Sequence, residues 1–175
     1  MQVPSFELDR DEVVRLLALV PHPEGGFYRE TYRAAELLPQ AALPRGFGGA
    51  RAVSTAIYFL VPQGSFSALH RIASDEVWHH YAGAPLEVIA IFPDGRREDV
   101  RLGCALKEGE RPQAVVPAGA WFGSRLALGS TGDWSLVGCT VAPSFEFADF
   151  EMGNRAELLR HFPQHEAIVR ELTRG

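Results

Sequence analysis

Apolar and polar positions follow two rhythms along the chain. At the start, Val13, Leu16, Leu17 and Val20 recur at helical spacing, and Asp9 with Glu12 forms a capping-box pair ahead of them. This predicts a helix over about 9–20, stopped by Pro21 and Pro23. After the turn-rich His22-Pro-Glu-Gly-Gly26, the period drops to two: Tyr28, Glu30 and Tyr32 alternate against their neighbours in a strand over Phe27–Arg33. Residues 34–51 carry Pro39, Pro44, Gly46, Gly48 and Gly49 and read as a loop, with no Lys-Ser/Thr behind the glycines to make a phosphate loop. Short strand-like runs then follow at 52–61, 66–72, 76–82, 86–92, 96–101, 113–117, 121–127, 134–142 and 145–150. Asp94-Gly95 lies between two of them as a hairpin turn. Residues 155–173 return to helical spacing, split by Pro163.

About nine short strands with tight turns predict an all-β domain, a single antiparallel barrel or jelly roll over about 27–151 with short helices at both ends. No repeat or long linker divides residues 1–175, so one domain is expected.

Charge narrows the function classes. Lys and Arg number 17 against 22 Asp and Glu, a formal net charge of −5. An acidic chain without a basic stripe is a poor match for nucleic acid. Its apolar runs are too short to span a bilayer, and Glu7, Asp9 and Arg10 fall where a leader would need an apolar core. A cytoplasmic protein is expected. Cys104 and Cys139 form no CxxC pair, and nothing in the sequence marks Cys139 as a nucleophile.

The chemistry concentrates in residues 64–83. Strand alternation puts Glu76, Trp78 and His80 on one face and Val77, His79 and Tyr81 on the other. His70, on the preceding strand, can join the first face across the turn at Ala73-Ser74-Asp75. A His and a Glu brought together in a barrel can bind a metal or do acid–base work. His80 lies ~13 Å along the strand from Glu76 at ~3.3 Å per residue, too far to share one metal.

The spacing Gly64-x5-His70 followed by Glu76-x6-Gly83 resembles the first signature of the cupin superfamily, and Pro117-Ala-Gly119-Ala-Trp121-Phe122 resembles the second. His22-Pro-Glu-Gly-Gly-Phe-Tyr-Arg-Glu-Thr31, Ser54–Leu60, Val137–Pro143 and Phe145-Glu-Phe147 resemble the DUF985 family of that superfamily, so the likeness runs over roughly 10–162. It implies the cupin barrel and, for small cupins, a homodimer, here expected to form through the strand Phe27–Arg33. The positions matching the superfamily's metal ligands hold His70, Ile72, Glu76 and Phe122. Two of the four are apolar, so His70 and Glu76 are the candidate metal ligands and no cofactor is expected.

Metal-free cupins that epimerise keto sugars offer the other precedent. By that resemblance His70 or His80 is the base, Tyr58 the acid, and Arg29 or Arg71 stabilises an enolate, with Glu76 in the same pocket. Phe59, Trp78, Trp121 and Phe122 line the core or stack on a ligand. Glu24 and Arg29 are expected to form an ion pair at the barrel mouth, within one subunit or with a neighbour's, and Glu146 is expected on a solvated edge or facing that mouth. Three functions stay open: a metal-independent isomerase or epimerase on a sugar-like or other small polar metabolite, a metal-dependent cupin enzyme such as a dioxygenase, and a non-catalytic small-molecule-binding module.

Overall fold

The computed structural model describes residues 8–175; the leader reading of the first seven lies outside them. Helix α1 spans Arg10–Leu16 and carries the capping box, with Asp9 accepting from the Glu12 amide and Glu12 accepting from the Asp9 amide. It ends before the predicted limit of 20. Ala18 turns into the left-handed region (φ 50°), and Val20–Pro21 becomes strand β1. Val20 pairs with Tyr28, so sheet pairing overrides helical spacing there.

The remaining strands are β2 (Phe27–Arg33), β3 (Leu37–Leu38), β4 (Arg51–Ala52), β5 (Thr55–Pro62), β6 (Phe66–Arg71), β7 (Asp75–Gly83), β8 (Leu86–Ile91), β9 (Arg97–Leu102), β10 (Gln113–Val116), β11 (Trp121–Leu126), β12 (Trp134–Ala142) and β13 (Glu151–Met152). One sheet has the order β1-β2-β5-β12-β7-β10 and the other β13-β6-β11-β8-β9. All of their pairings are antiparallel. This is the expected all-β jelly roll.

The inner faces of the two sheets meet in one core. Phe59, Trp78, Val137, Cys139 and Val141 come from the first sheet, and Val88, Ala90 and Phe122 from the second. Both outer faces are covered. Helix α1 places Val13 on Leu60, Ala82, Trp134 and Leu136. Helices α2 (Arg155–His161) and α3 (Glu166–Glu171) lay Leu158, Ile168 and Val169 over Leu69, Ile89 and Ile91. Covered sheets hide apolar faces that would otherwise invite association.

Two further predictions change. Residues 34–51, read as a loop, contain β3 and end in β4, which pair with each other. Residues 145–150, read as a strand, instead form a 3-10 turn at Phe147–Asp149, because Phe145, Phe147 and Phe150 pack on one another. No helix among the described residues is long and apolar enough to cross a membrane.

Candidate functional site

A cavity of about 310 Å3 opens between the sheets at the end where β7 begins. That is at the lower end of ligand-pocket volumes, about 300–1,000 Å3. His22, Glu24, His70, Glu76 and Cys139 supply its polar interior, Tyr28, Ile57, Phe59, Val141, Phe145 and Phe147 its apolar wall, and Glu30, Arg33 and Glu146 its acidic and basic rim.

Glu24 arrives from the turn between β1 and β2. Gly25 and Gly26 both have positive φ, and a Cβ at either would strike a backbone oxygen, that of Phe66 or that of Leu60. Only glycine lets this turn sit so close to the sheet. Arg174 clamps it by donating to the carbonyls of Pro23 and Glu24, and Ala68 N donates to the Glu24 carbonyl.

The hydrogen bonds assign the tautomers. His70 Nδ1 lies 2.7 Å from the Ala68 carbonyl, so it carries a proton. Its Nε2 therefore faces Glu24 Oε2, at 3.2 Å, with a lone pair unless a second proton sits between them. The other Glu24 oxygen accepts from Ser67 at 2.8 Å. His22 Nδ1 accepts from the Glu24 amide at 3.3 Å, which leaves the proton of neutral His22 on Nε2. Cys139 lines the cavity beside Glu76.

Burial sets the proton affinities. It pushes Glu24 up to about 8, against the opposing pull of Ser67 and of the Arg174 charge. It pushes Glu76 up to about 7, helped by the Glu24 charge and opposed by His70 and Cys139. It pushes His22 down to about 4, with the His70 charge adding to the effect. His70 is also lowered by burial, though the Glu76 charge and the Ala68 carbonyl work the other way. Burial and the neighbouring Glu76 raise Cys139, which keeps it a thiol. Two carboxyls poised near neutrality beside two neutral imidazoles can give and take protons.

The rim is a closed ion-pair set. Arg33 donates to both oxygens of Glu30, to Glu146 Oε1 and to the Phe145 carbonyl. Beside it, Arg51 makes a buried two-point pair with Asp149, both contacts at 2.7 Å, which fastens the Phe147–Asp149 turn. Phe147 stacks on His22, with ring centroids 5.9 Å apart.

Of the residues singled out in the sequence, His70, Glu76, Glu24, Phe59 and Glu146 line this cavity. The others do not. Tyr58 lies on the outer face of β5 against Tyr81, because Phe59 takes the inward position. Arg29 lies on the α1 side of β2 and donates to the Leu17 carbonyl, so it makes no ion pair with Glu24. Arg71 is exposed, pairs with Glu151 and covers the ring of Trp121. Trp121 itself packs with the C-terminal helices. Trp78 and Phe122 are inner-core residues behind the cavity wall; Trp78 sits edge-on to Phe59 and Phe122. His80 shares the face of Glu76 and Trp78, opposite Val137, but at the other end of β7, where it touches the Ala84 carbonyl and Cys104.

His22, Arg33 and Cys139 were not foreseen in the cavity. His22 had a signal in the His-Pro-Glu-Gly-Gly run. Arg33 had none: a bulge at Thr31 pairs Tyr32 with Ala56 and Arg33 with Thr55, so Arg33 rather than Tyr32 joins Tyr28 and Glu30.

The side chains present do not fit a three-ligand metal centre. The position matching the superfamily's last ligand holds Phe122, whose ring lies 4.1 Å from that of His70, and both His70 nitrogens already have partners. Among the described residues no group of three or more His, Cys, Asp or Glu side chains is arranged to hold a metal ion.

Comparison with known proteins agrees with this architecture. The profile of the family described as Cupin superfamily (DUF985) matches residues 11–153. The crystal structure of protein SO0799 from Shewanella oneidensis is 40% identical, covers 95% of this chain and 98% of its own, and superposes with a TM-score of 0.83. A protein from Leishmania major is 35% identical with a TM-score of 0.87, over 96% of this chain and 100% of its own. The yeast protein YML079W of Saccharomyces cerevisiae is 28% identical over 150 residues, 82% of this chain and 74% of the yeast one.

Proposed function

This chain belongs to the DUF985 family of the cupin superfamily, and on that premise we propose that it is a metal-independent isomerase or epimerase. Its substrate would be a sugar-like or other small polar metabolite carrying a carbonyl group, bound in the cavity between the sheets. The observation that carries this reading is that His22, Glu24, His70 and Glu76 line one small cavity, in which burial pushes Glu24 up to about 8 and Glu76 up to about 7.

In this mechanism ionised Glu76 removes the proton on the carbon next to the carbonyl. An enolate forms, and its oxygen receives a hydrogen bond from the proton shared by Glu24 and His70, or from His22 Nε2–H. Return of the proton to the same face regenerates the substrate; delivery of the Glu24–His70 proton to the opposite face gives the epimer, leaving Glu76 protonated and Glu24 ionised, and proton exchange with solvent resets both. A general base works best when its pKa lies near the working pH, which suits Glu76. Because Tyr58, Arg29, Arg71 and His80 lie outside the cavity, their position supports giving the acid role to the Glu24–His70 pair and the base role to Glu76 in place of the sequence-based roles of Tyr58 and of His70 or His80. The metal-dependent alternative asks for ligands where Ile72 and Phe122 stand.

The non-catalytic binding reading has one observation in its favour. The acidic and basic groups of the rim are already paired among themselves. Hydrogen exchange separates the two readings. In D2O with a panel of ketoses and keto sugars, wild-type protein should place deuterium beside the carbonyl of at least one, and Glu76→Gln should abolish it. Binding without exchange would favour the binding module.

We also propose a homodimer. β1 pairs with only the first two residues of β2, which supports association through the rest of that strand. A monomeric mass by light scattering would contradict it. Two free cysteines support cytoplasmic residence.

A further inference from the structure

His80 is left over from the cavity, and it has a different partner. Its Nδ1 lies 3.6 Å from Cys104 Sγ, and its Nε2 lies 3.2 Å from the Ala84 carbonyl. A carbonyl can only accept, so Nε2 carries the proton and Nδ1 presents a lone pair to the thiol. Cysteine nucleophiles use this arrangement: a thiol, a base within reach, and a third group that fixes the base's tautomer. The turn after β9 holds Cys104 in place. Gly103 N donates to Arg111 O, and Leu106 N donates to Cys104 O. Cys104 is exposed, whereas Cys139 is buried. The pair lies in a surface groove of about 660 Å3, which Pro85, Ala105, Thr131 and Asp133 also line.

We propose that Cys104 and His80 form a reactive-thiol site, separate from the cavity, that undergoes exchange with small-molecule disulfides. His80 Nδ1 takes the thiol proton. The Cys104 thiolate attacks one sulfur of the disulfide, the old S–S bond breaks and a Cys104 mixed disulfide forms. The departing thiolate takes the proton back from His80. Cys104 is oxidised by the disulfide, and one half of that disulfide leaves reduced.

The other charged groups around the pair are accounted for. Glu110 accepts from the Ala105 amide and from Arg101. Arg111 donates to the Glu110 carbonyl. Asp133 and the Tyr81 phenol line the same groove. An imidazole in contact with the sulfur therefore remains the base placed to take its proton.

The test is the rate of mixed-disulfide formation with 2-hydroxyethyl disulfide on the full chain, followed by intact mass and peptide mapping from pH 5.5 to 9. An unassisted thiol of pKa ~8.5 is only about 3% thiolate at pH 7, and its rate climbs tenfold per unit below that pKa. The wild type should react at Cys104 at least tenfold faster than His80→Gln at pH 6.5–7, with a rate that depends on pH less steeply than the unassisted tenfold per unit. Cys139 should stay unmodified. Equal rates for the two proteins, or a wild-type profile that climbs as an ordinary thiol does, would overturn the proposal. If His80→Gln fails to fold, the wild-type pH profile decides alone.

Discussion

His70 Nε2 faces Glu24 Oε2 at 3.2 Å while the Ala68 carbonyl holds the opposite ring nitrogen at 2.7 Å, so one proton serves the Glu24–His70 contact. Burial raises Glu24 and lowers His70, and both directions favour a neutral acid donating to a neutral imidazole over an ion pair. Glu24→Gln tests this. An amide N–H can replace the acid O–H, so the variant should lose no more than about 1.5 kcal/mol in urea unfolding at pH 7. Glu24→Ala leaves Ser67 and His70 without their partner and should lose about 2–4 kcal/mol. A loss of about 3–5 kcal/mol for Glu24→Gln would mean that an ion pair had been broken.

The same carboxyls give stability a characteristic pH dependence. Glu24 at about 8 and Glu76 at about 7 stand above the unfolded value of ~4.3, so the folded chain holds protons that the unfolded chain releases. Their contribution is complete below about pH 4.3 and is lost as pH rises through 7 and 8. His22, at about 4, and His70, also lowered, act in the opposite sense. Theirs is complete above about pH 6.5 and is lost as pH falls. Between pH 6.5 and 8 the carboxyls outweigh the histidines, whose unfolded-state titration is mostly over by about pH 7.5. Unfolding free energy should fall there by about 2 kcal/mol, and the double variant Glu24→Gln/Glu76→Gln should flatten the slope. A wild-type profile that is flat or rising over this range would contradict the shifts.

Much of this site was legible in the sequence because its two central residues lie on the same simple pattern. His70 and Glu76 flank one tight turn, and alternation alone aims Glu76 at the core with Trp78. Parity failed where it depended on something alternation does not encode. Nothing in Thr55–Pro62 says whether Tyr58 or Phe59 turns inward, since both suit either environment; packing of α1 on the outer face decides it. The Thr31 bulge reverses the parity of β2 and brings Arg33 to the rim. Glu24 was singled out, but its partners were not, because contact with Ser67 and His70 joins positions more than 40 residues apart.

The Arg51–Asp149 pair should be structural. Both side chains are buried and bonded at two points, so Asp149→Ala leaves a guanidinium uncompensated and should cost about 3–5 kcal/mol. Arg33 is more than one-third exposed, and Arg33→Gln should change stability by less than about 1 kcal/mol. Chemical denaturation of both variants checks this; similar costs would remove the distinction.

Metal removal should not matter to the fold. With Phe122 beside His70 and no three-ligand group among the described residues, dialysis against a strong chelator should leave the thermal midpoint unchanged. A fall of several degrees, restored by one added divalent metal, would show a structural or catalytic ion that the donor set does not suggest.

The central claim is that two carboxyls facing one cavity are poised near neutral pH, and carboxyl 13C NMR of glutamate-labelled protein measures it directly. Signals assigned through Glu24→Gln and Glu76→Gln should titrate near 8 and near 7, well apart from glutamates at ~4.3. If both titrate in the ordinary range, Glu24 holds no proton to donate at neutral pH, Glu76 is too weak a base for that pH, and the proton-transfer account fails.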